Sequence, residues 1–441
     1  MTIENTATST ALIEKLNHPH SSQRLDALAK LVKMVQGGEL STPVREHNVN
    51  NHIHTTYSFS PYSPTKALWM AYNSGLVTSG IMDHDSVSGA REFTNAGRCI
   101  GMGTTVGAEI RVSAAKTRLA GRRINHPDQK STIYMAIHGI PHTQLEKADR
   151  FLQPIRAARN KRNTAMVQRI NEITGENTLA LDMEKDVKPL SMCHEGGSIT
   201  ERHILFALGH KMIARFGQGR PLVDFLKNEL RLKLSAKIQS LLMEADNPHY
   251  PYDLLGALKS DFVPKMYIPA DEELVDVQDA VNFAAEIGAV SAYAYLGDIT
   301  QSVTGDKKAQ KFEDDYLDLL FEEIKSIGFN AVTYMPSRNT MDQLLRVQEK
   351  CRSHNLFQIS GEDINSPRQK FICEALKKPE FENLFDATYA LIGHELKAGN
   401  DISDAMFAPS TANKIPNLHE RIKYYADIGR REVQSRNIVM K

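Results

Sequence analysis

Apolar positions along the chain follow two periods. Near the start, Leu25, Leu28, Leu31, Val32 and Val35 recur at helical spacing behind the capping residues Ser21 and Ser22, and Gly37 and Gly38 stop the run. A helical extension over residues 1–47 follows from this. From residue 48 the pattern becomes strand–helix alternation. NVNNHIH reads as a strand, Ser63 and Pro64 open a helix, Gly75 ends it, and LVTSGIM is the next strand. IYMAIHG is another strand. A long helical stretch, from Leu145 to Leu242, then breaks the rhythm. Its clearest helix carries Arg156, Arg159, Lys161 and Arg162, most simply a solvated face and alternatively a collector of phosphates. The alternation resumes with the helix VDVQDAVNFAAEIG and the strand AVSAYAYLG, then DDYLDLLFEEIKSIG and FNAVTYMPS, then MDQLLRVQEKCRSHN and LFQIS.

Repeated βα units predict an α/β fold with a parallel sheet, closed as a barrel or open and doubly wound. In both forms the chemistry gathers at the C-terminal ends of the strands. The chain divides into the N-terminal extension (1–47), a first βα part (48–140), a mainly helical insertion (141–262) and a second βα part with a C-terminal helical tail (263–441). Composition narrows the function classes. Lys+Arg and Asp+Glu both number 53 among 441 residues, so no bulk nucleic-acid-binding patch is expected. Cys99, Cys193, Cys351 and Cys373 form no CxxC pair, which speaks against a disulfide scaffold and for a reducing compartment. The start MTIENTATSTALIEKLN lacks a basic segment followed by an apolar core, and no apolar run has the length of a membrane span. A soluble cytoplasmic protein with no membrane partner is the expectation.

The candidate chemistry lies at the expected strand ends. His52 and His54 sit one residue apart and share a face of their strand. Asp83, His84 and Asp85 follow the second strand in MDHD, Glu109 ends a third in GAEI, His138 a fourth in AIHG, and Asp363 the last in GEDIN. Neutral imidazole and carboxylate suit zinc, manganese or iron. A bridging carboxylate such as Glu109 can join two ions, and a pair of ions can clamp both oxygens of a phosphoryl displacement.

The order HxH, DHD, GAE, xHG and GxD resembles the PHP (polymerase and histidinol phosphatase) family of metal-dependent phosphoesterases. HTTYSFSPYSPTKAL is similar to that family's HSTxSDGxxSPxxL, GIMDHDSVSGA to its TDHDxxxG, SITERHILFAL to its GRPHIARAL, and FVPKMYIPADEELVDVQDAV to its YVPxxxxSPEEAI. The likeness spans residues 48–370. It implies a distorted, TIM-like βα barrel with a helical insertion, and hydrolysis of a phosphoester by metal-activated water. One divalent ion (Mn, Zn, Fe or Mg) would be held by His52, His54, Glu109 and Asp363. A second site would use Glu109 with His138, or Tyr134 in its place, and Tyr295, which stands where the family has histidine. A third would use Phe59, His84 and Asn365, where the family has aspartate, histidine and histidine. Phenylalanine is no ligand, asparagine offers one weak oxygen, and tyrosine binds as phenolate. One complete site and an impaired second are therefore expected. His84, Asp85 or His203 would move protons, with a capping or packing role as the plainer reading of His203. Arg202 and Arg338 would hold the substrate, a nucleotide, short oligonucleotide or other small phosphorylated molecule. His126, His142 and His210 read as surface residues, and His194 as a loop residue without a role. The alternative is a degenerate fold member that binds or regulates, or a mononuclear hydrolase of different chemistry.

Overall fold

The computed structural model of the chain describes residues 3–41, 43–175, 179–299 and 311–438. The prefix is a helical hairpin, α1 (Ile3–Lys15) and α2 (Ser21–Gln36), of which the apolar pattern showed only the second. It is fastened to the body by a buried ion pair. The Arg24 guanidinium meets the Glu92 carboxylate, with Nε to Oε1 at 2.8 Å, and spends its remaining hydrogens on the carbonyls of His18 and Pro19. Glu92 also accepts from the Thr65 hydroxyl at 2.6 Å.

Eight strands follow: β1 (Asn48–Ile53), β2 (Leu76–His84), β3 (Gly103–Ser113), β4 (Thr132–His138), β5 (Val275–Asp276), β6 (Val290–Ala294), β7 (Ala331–Tyr334) and β8 (Phe357–Ser360). Their order is β1-β2-β3-β4-β6-β7-β8, with β5 extending one edge of β3. β1 to β3 are parallel, as are β6 to β8, but β4 runs antiparallel to both of its neighbours. The expectation of a wholly parallel sheet is corrected here. A parallel strand needs a crossover, usually a helix, and residues 114–131 contain none, so the chain turns straight back. The sheet curls as a half-barrel rather than closing as a ring. Among the described residues its two ends meet through the isolated bridge Ile53–Ile364.

Helices α3 (Pro64–Asn73) and α4 (Ala90–Ile100) lie after β1 and β2. The insertion consists of α5 (Leu145–Thr174), α6 (Glu201–Phe216), α7 (Arg220–Asn228), α8 (Ala236–Met243) and α9 (Tyr250–Met266). Helices α10 (Val277–Glu286), α11 (Leu317–Ile327) and α12 (Met341–Ser353) complete the βα units, and α13 (Glu382–Asn400), α14 (Pro409–Lys414) and α15 (Leu418–Ile438) end the chain. No described helix is long and apolar enough to cross a membrane.

The alternating side chains of the strands feed two cores. Ile81, Ala108 and Ile110 pack with Leu68 of α3 and Phe93 of α4. The opposite face, through Met82, Ala136, Ala292 and Ile359, packs on Ala390 and Leu391 of α13. Helix α15 backs α13 at a crossing so close that a Cβ on Gly393 would stand 2.0 Å from the Tyr425 carbonyl oxygen. A third core belongs to the insertion, where Met166, Leu208 and Leu258 gather, and Phe59 of the β1–α3 loop joins it.

The basic residues of α5 overturn their simplest reading. Lys161 is exposed, but Arg156, Arg159 and Arg162 are buried. Arg159 pairs with Asp85 at 2.8 Å, Arg162 with Glu201 at 2.5 Å and with Glu273 at 3.1 Å, and Arg111 of β3 with Glu201 at 3.3 Å and with Glu273. Three arginines thus neutralise three carboxylates where the insertion meets the sheet. The face turns inward because each charge finds a partner there.

Two predictions arise from these contacts. Replacing Arg24 with alanine strands Glu92 in the core, so Arg24→Ala should lose about 3–5 kcal/mol of stability in urea denaturation. His394 of α13 is fully buried, donates from Nε2 to the Gly139 carbonyl at 3.0 Å and accepts the Met406 amide at Nδ1, also at 3.0 Å. Burial pushes it down to about 4, below the ordinary 6.5, although the carbonyl contacts favour the charged form. The unfolded chain therefore binds the proton first. Stability should fall as pH drops from about 6.5 to about 4, by on the order of 3 kcal/mol, and this component should vanish in His394→Gln.

Candidate metal centre

The upper rung of the α13-facing side of the sheet carries the polar cluster. His84 shares that face with Met82, and Glu109 shares it with Gly107, by strand alternation. His84 Nδ1 lies 3.2 Å from Glu109 Oε2, His52 Nε2 3.5 Å and His54 Nε2 3.8 Å from the same oxygen, and His54 Nε2 3.1 Å from Asp363 Oδ1. Two overlapping groups result, His52–His54–Asp363 and His54–His84–Glu109, each with its ligand atoms within 4.8 Å of one another.

Asp363 reaches the histidines across 309 residues of chain because β1 and the end of β8 are sewn together. Asn50 Oδ1 accepts the amides of His52 at 2.9 Å and Glu362 at 3.0 Å, while its Nδ2 donates to the Glu362 carbonyl at 3.1 Å. Asn51 Nδ2 donates to the Ser360 carbonyl at 2.9 Å and to Thr388 at 2.7 Å. The approach requires glycine at 361, where a Cβ would stand 2.5 Å from the Cβ of His52.

Supporting groups orient the ligands. Ser58 donates its hydroxyl to Asp83 Oδ1 at 2.6 Å, so its 3.2 Å contact with His54 Nδ1 requires the proton to sit on that nitrogen. The Nε2 lone pair then faces the cluster. Asp83 is also held by the Thr55 amide at 2.7 Å and hydroxyl at 2.6 Å. Asp85 adopts φ +50, a left-handed conformation that aspartate tolerates. Its amide donates to the Glu109 carbonyl at 2.9 Å, and the turn sends His84 to the cluster and the Asp85 carboxylate to Arg159.

The electrostatics favour a cation. Burial alone would raise Glu109, but His84, His52 and His54 hold it down to about 2. Burial likewise works against the Asp363 anion, and His54, His52 and Arg202 keep it well below the usual carboxylate range. Burial keeps His84 neutral despite Glu109. The Nε2 atoms of His52 and His54 are buried and make no hydrogen bond among the described residues. Bonds of about 2.1 Å in a tetrahedral set place donor atoms about 3.4 Å apart, close to the spacings above. The residues fit a divalent metal ion.

Other expected site residues lie elsewhere. His138 is on the ligand face, but β4 runs backwards, so it pairs with Gly107 while Ala136 stands opposite Glu109. That puts it about 7 Å deeper along the strand, outside both ligand groups. Tyr295 points to the opposite face and donates its hydroxyl to Asp314 at 2.6 Å. Asn365 donates its amide to Asp363 Oδ1 and acts as support for that carboxylate. Phe59 packs edge-on against His203 at 5.0 Å and Phe206 at 5.5 Å. His203 accepts the Thr200 amide at 3.0 Å in a capping box, which is its plainer reading, and Asp85 is committed to Arg159. Arg202 is half-buried, makes no ion pair among the described residues and exerts its charge on Asp363 and His84. Arg338 donates to the Leu296 carbonyl at 3.0 Å and also feels Asp363. His126 is buried, not a surface residue, and stacks on Tyr134 at 5.0 Å. Its loop sequence NHP carried no signal of this.

The sequence matches no protein-family model and no curated protein. Among solved structures, the chain is similar in fold to a Bifidobacterium adolescentis protein provisionally described as a metal-dependent phosphoesterase, at 19% identity and a TM-score of 0.50, over 79% of this chain and 98% of that one. A Chromobacterium violaceum protein described as an amidohydrolase with bound sulfate and no metal matches at 17% identity and a TM-score of 0.47, over 74% and 90%.

Removing the hydroxyl that fixes the His54 tautomer should loosen the centre without dismantling it. Ser58→Ala should bind divalent metal about 10–100-fold more weakly in chelator competition, with the far-ultraviolet circular dichroism unchanged.

Proposed function

We propose that the chain is a metal-dependent hydrolase of the PHP type that cleaves a phosphoester. The observation that carries this reading is the convergence of three histidines and two carboxylates, with the His52 and His54 Nε2 atoms buried and unsatisfied. The description of the Bifidobacterium protein of like fold supports it. A divalent ion bound there would supply Lewis acidity, neutralising phosphoryl charge and making water a nucleophile near neutral pH. His52, His54, Glu109 and Asp363 would hold it, and His84 would add a fifth donor or a second partial site.

The rest of the work falls to the chain's own groups. Arg202, which makes no ion pair among the described residues, would draw a small phosphorylated molecule or short oligonucleotide to the cluster. Arg338 would assist from the β7–α12 side. A second reading, a mononuclear enzyme of other chemistry or a binding module, is favoured by one feature: Phe59 fills with apolar surface the position where the resembled family has a ligand.

The test is metal content together with hydrolysis of an aryl phosphate and of nucleotides. Chelator-stripped protein should be inactive and recover with manganese, and Asp363→Asn should lower kcat/KM by about 10³-fold or more. Metal-loaded wild-type protein without turnover on any phosphoester would sink the reading.

A further inference from the structure

The reversal of β4 puts an unexpected pair beside the cluster. Tyr134, not His138, stands at the rim, opposite Arg111 in the register. Its ring centre lies 6.3 Å from that of His84, which in turn stacks on His54 at 4.7 Å. The Tyr134 backbone is clamped by the Asn125 side chain, which donates to its carbonyl and accepts its amide, both at 2.8 Å. The next residue, His126, lies almost flat on the tyrosine ring, with 12° between the planes.

Both side chains present hydrogens that the protein does not use. His126 Nδ1 accepts the amides of Asp128 at 3.2 Å and Gln129 at 3.0 Å, so the ring proton sits on Nε2. That Nε2–H is buried and has no hydrogen-bond partner among the described residues, and the residue is 1% exposed. The Tyr134 hydroxyl makes no hydrogen bond among the described residues, and the residue is half-buried. A buried unpaired donor is costly unless something accepts from it. The neighbouring carboxylates Asp85, Glu201 and Glu273 are engaged in ion pairs with Arg159, Arg111 and Arg162.

We propose that Tyr134 and His126 form a two-donor subsite, next to the His54–His84–Glu109 group, that receives an oxygen of a tetrahedral oxyanion. The proposal deepens the hydrolase reading and rests on it for the identity of that oxyanion as a phosphoryl group. Sharing one oxygen between O–H and N–H fixes its position beside the cluster, and Arg202, whose charge acts on Asp363 and His84, adds positive potential there. The preformed clamp of Asn125 and the ring stack hold the donors in place before the ligand arrives, which lowers the ordering cost of binding.

The experiment measures binding of inorganic phosphate by calorimetry to manganese-loaded protein freed of excess metal. Wild type is compared with Tyr134→Phe, and with His126→Phe, which keeps the ring stack. Each variant should bind phosphate about 10–100-fold more weakly, the range for a hydrogen bond to a charged group, with manganese content and melting temperature unchanged for Tyr134→Phe. Equal affinity in wild type and Tyr134→Phe would overturn the subsite, as would a wild type that binds no phosphate. Tyr134-dependent phosphate binding without turnover of any phosphoester would leave the subsite standing and remove the phosphoesterase reading. Turnover with unchanged phosphate affinity and kcat/KM in Tyr134→Phe would do the reverse.

Discussion

The candidate centre depends on one seam, where the first strand meets the end of the last. Asn50 and Asn51 act as side-chain splices across a junction that, among the described residues, the strands bridge at Ile53–Ile364: Asn50 bonds the His52 and Glu362 backbone and Asn51 the Ser360 carbonyl. Without that seam Asp363 would be far from His54, and the cluster would lack its second carboxylate. The amide side chain suits the task because it both donates and accepts, and so can stand in for a missing strand neighbour. Buried asparagines would otherwise carry a desolvation cost, and here Asn50 spends its side chain on backbone groups and Asn51 on the Ser360 carbonyl and the hydroxyls of Thr105 and Thr388.

Around the seam, charge is arranged in two zones of different character. At the insertion interface the arginines and carboxylates cancel, and the charges fix how the helical layer sits on the sheet. At the centre they do not cancel in the same way. Glu109 and Asp363 are kept ionised inside the protein by imidazoles that burial would prefer neutral, so the carboxylates and ring nitrogens share too few protons to satisfy one another. A divalent cation bound there would resolve that mismatch by replacing protons with a single stronger charge. Asp85 joins the zones: its amide touches the Glu109 strand and its carboxylate the arginine layer, so the docking of the insertion and the placement of the ligands are mechanically linked.

The positions that depart from the resembled family have each acquired other work. Phe59 seals the loop after β1 to the core of the insertion, Asn365 steadies the Asp363 carboxylate, and Tyr295 has turned to the far side of the sheet, where Asp314 takes its hydroxyl. None is left as an unsatisfied polar group. Their common effect is to confine the candidate metal ligands to the zone bounded by His52, His84, Glu109 and Asp363.

Local pattern by itself determined much of this. The helical and strand periods located α2, β1, β2, β4, β6, β7 and β8, and the i, i+2 spacing of His52 and His54 announced a shared face, since side-chain direction along a strand is a local property. Strand-end carboxylates and His84 were legible for the same reason. Tertiary structure decided the rest. Whether β4 runs up or down depends on the absence of a crossover in residues 114–131 and on pairing with β3 and β6, and that direction exchanged His138 for Tyr134 at the rim. The inward turn of Arg156, Arg159 and Arg162 depends on acids that lie up to 114 residues away. The burial of His126 likewise depends on a ring it meets only after folding. A residue's type and period record what it can do along its own element. Which partner satisfies it is a three-dimensional question, settled by the cost of leaving any buried charge or donor unmatched.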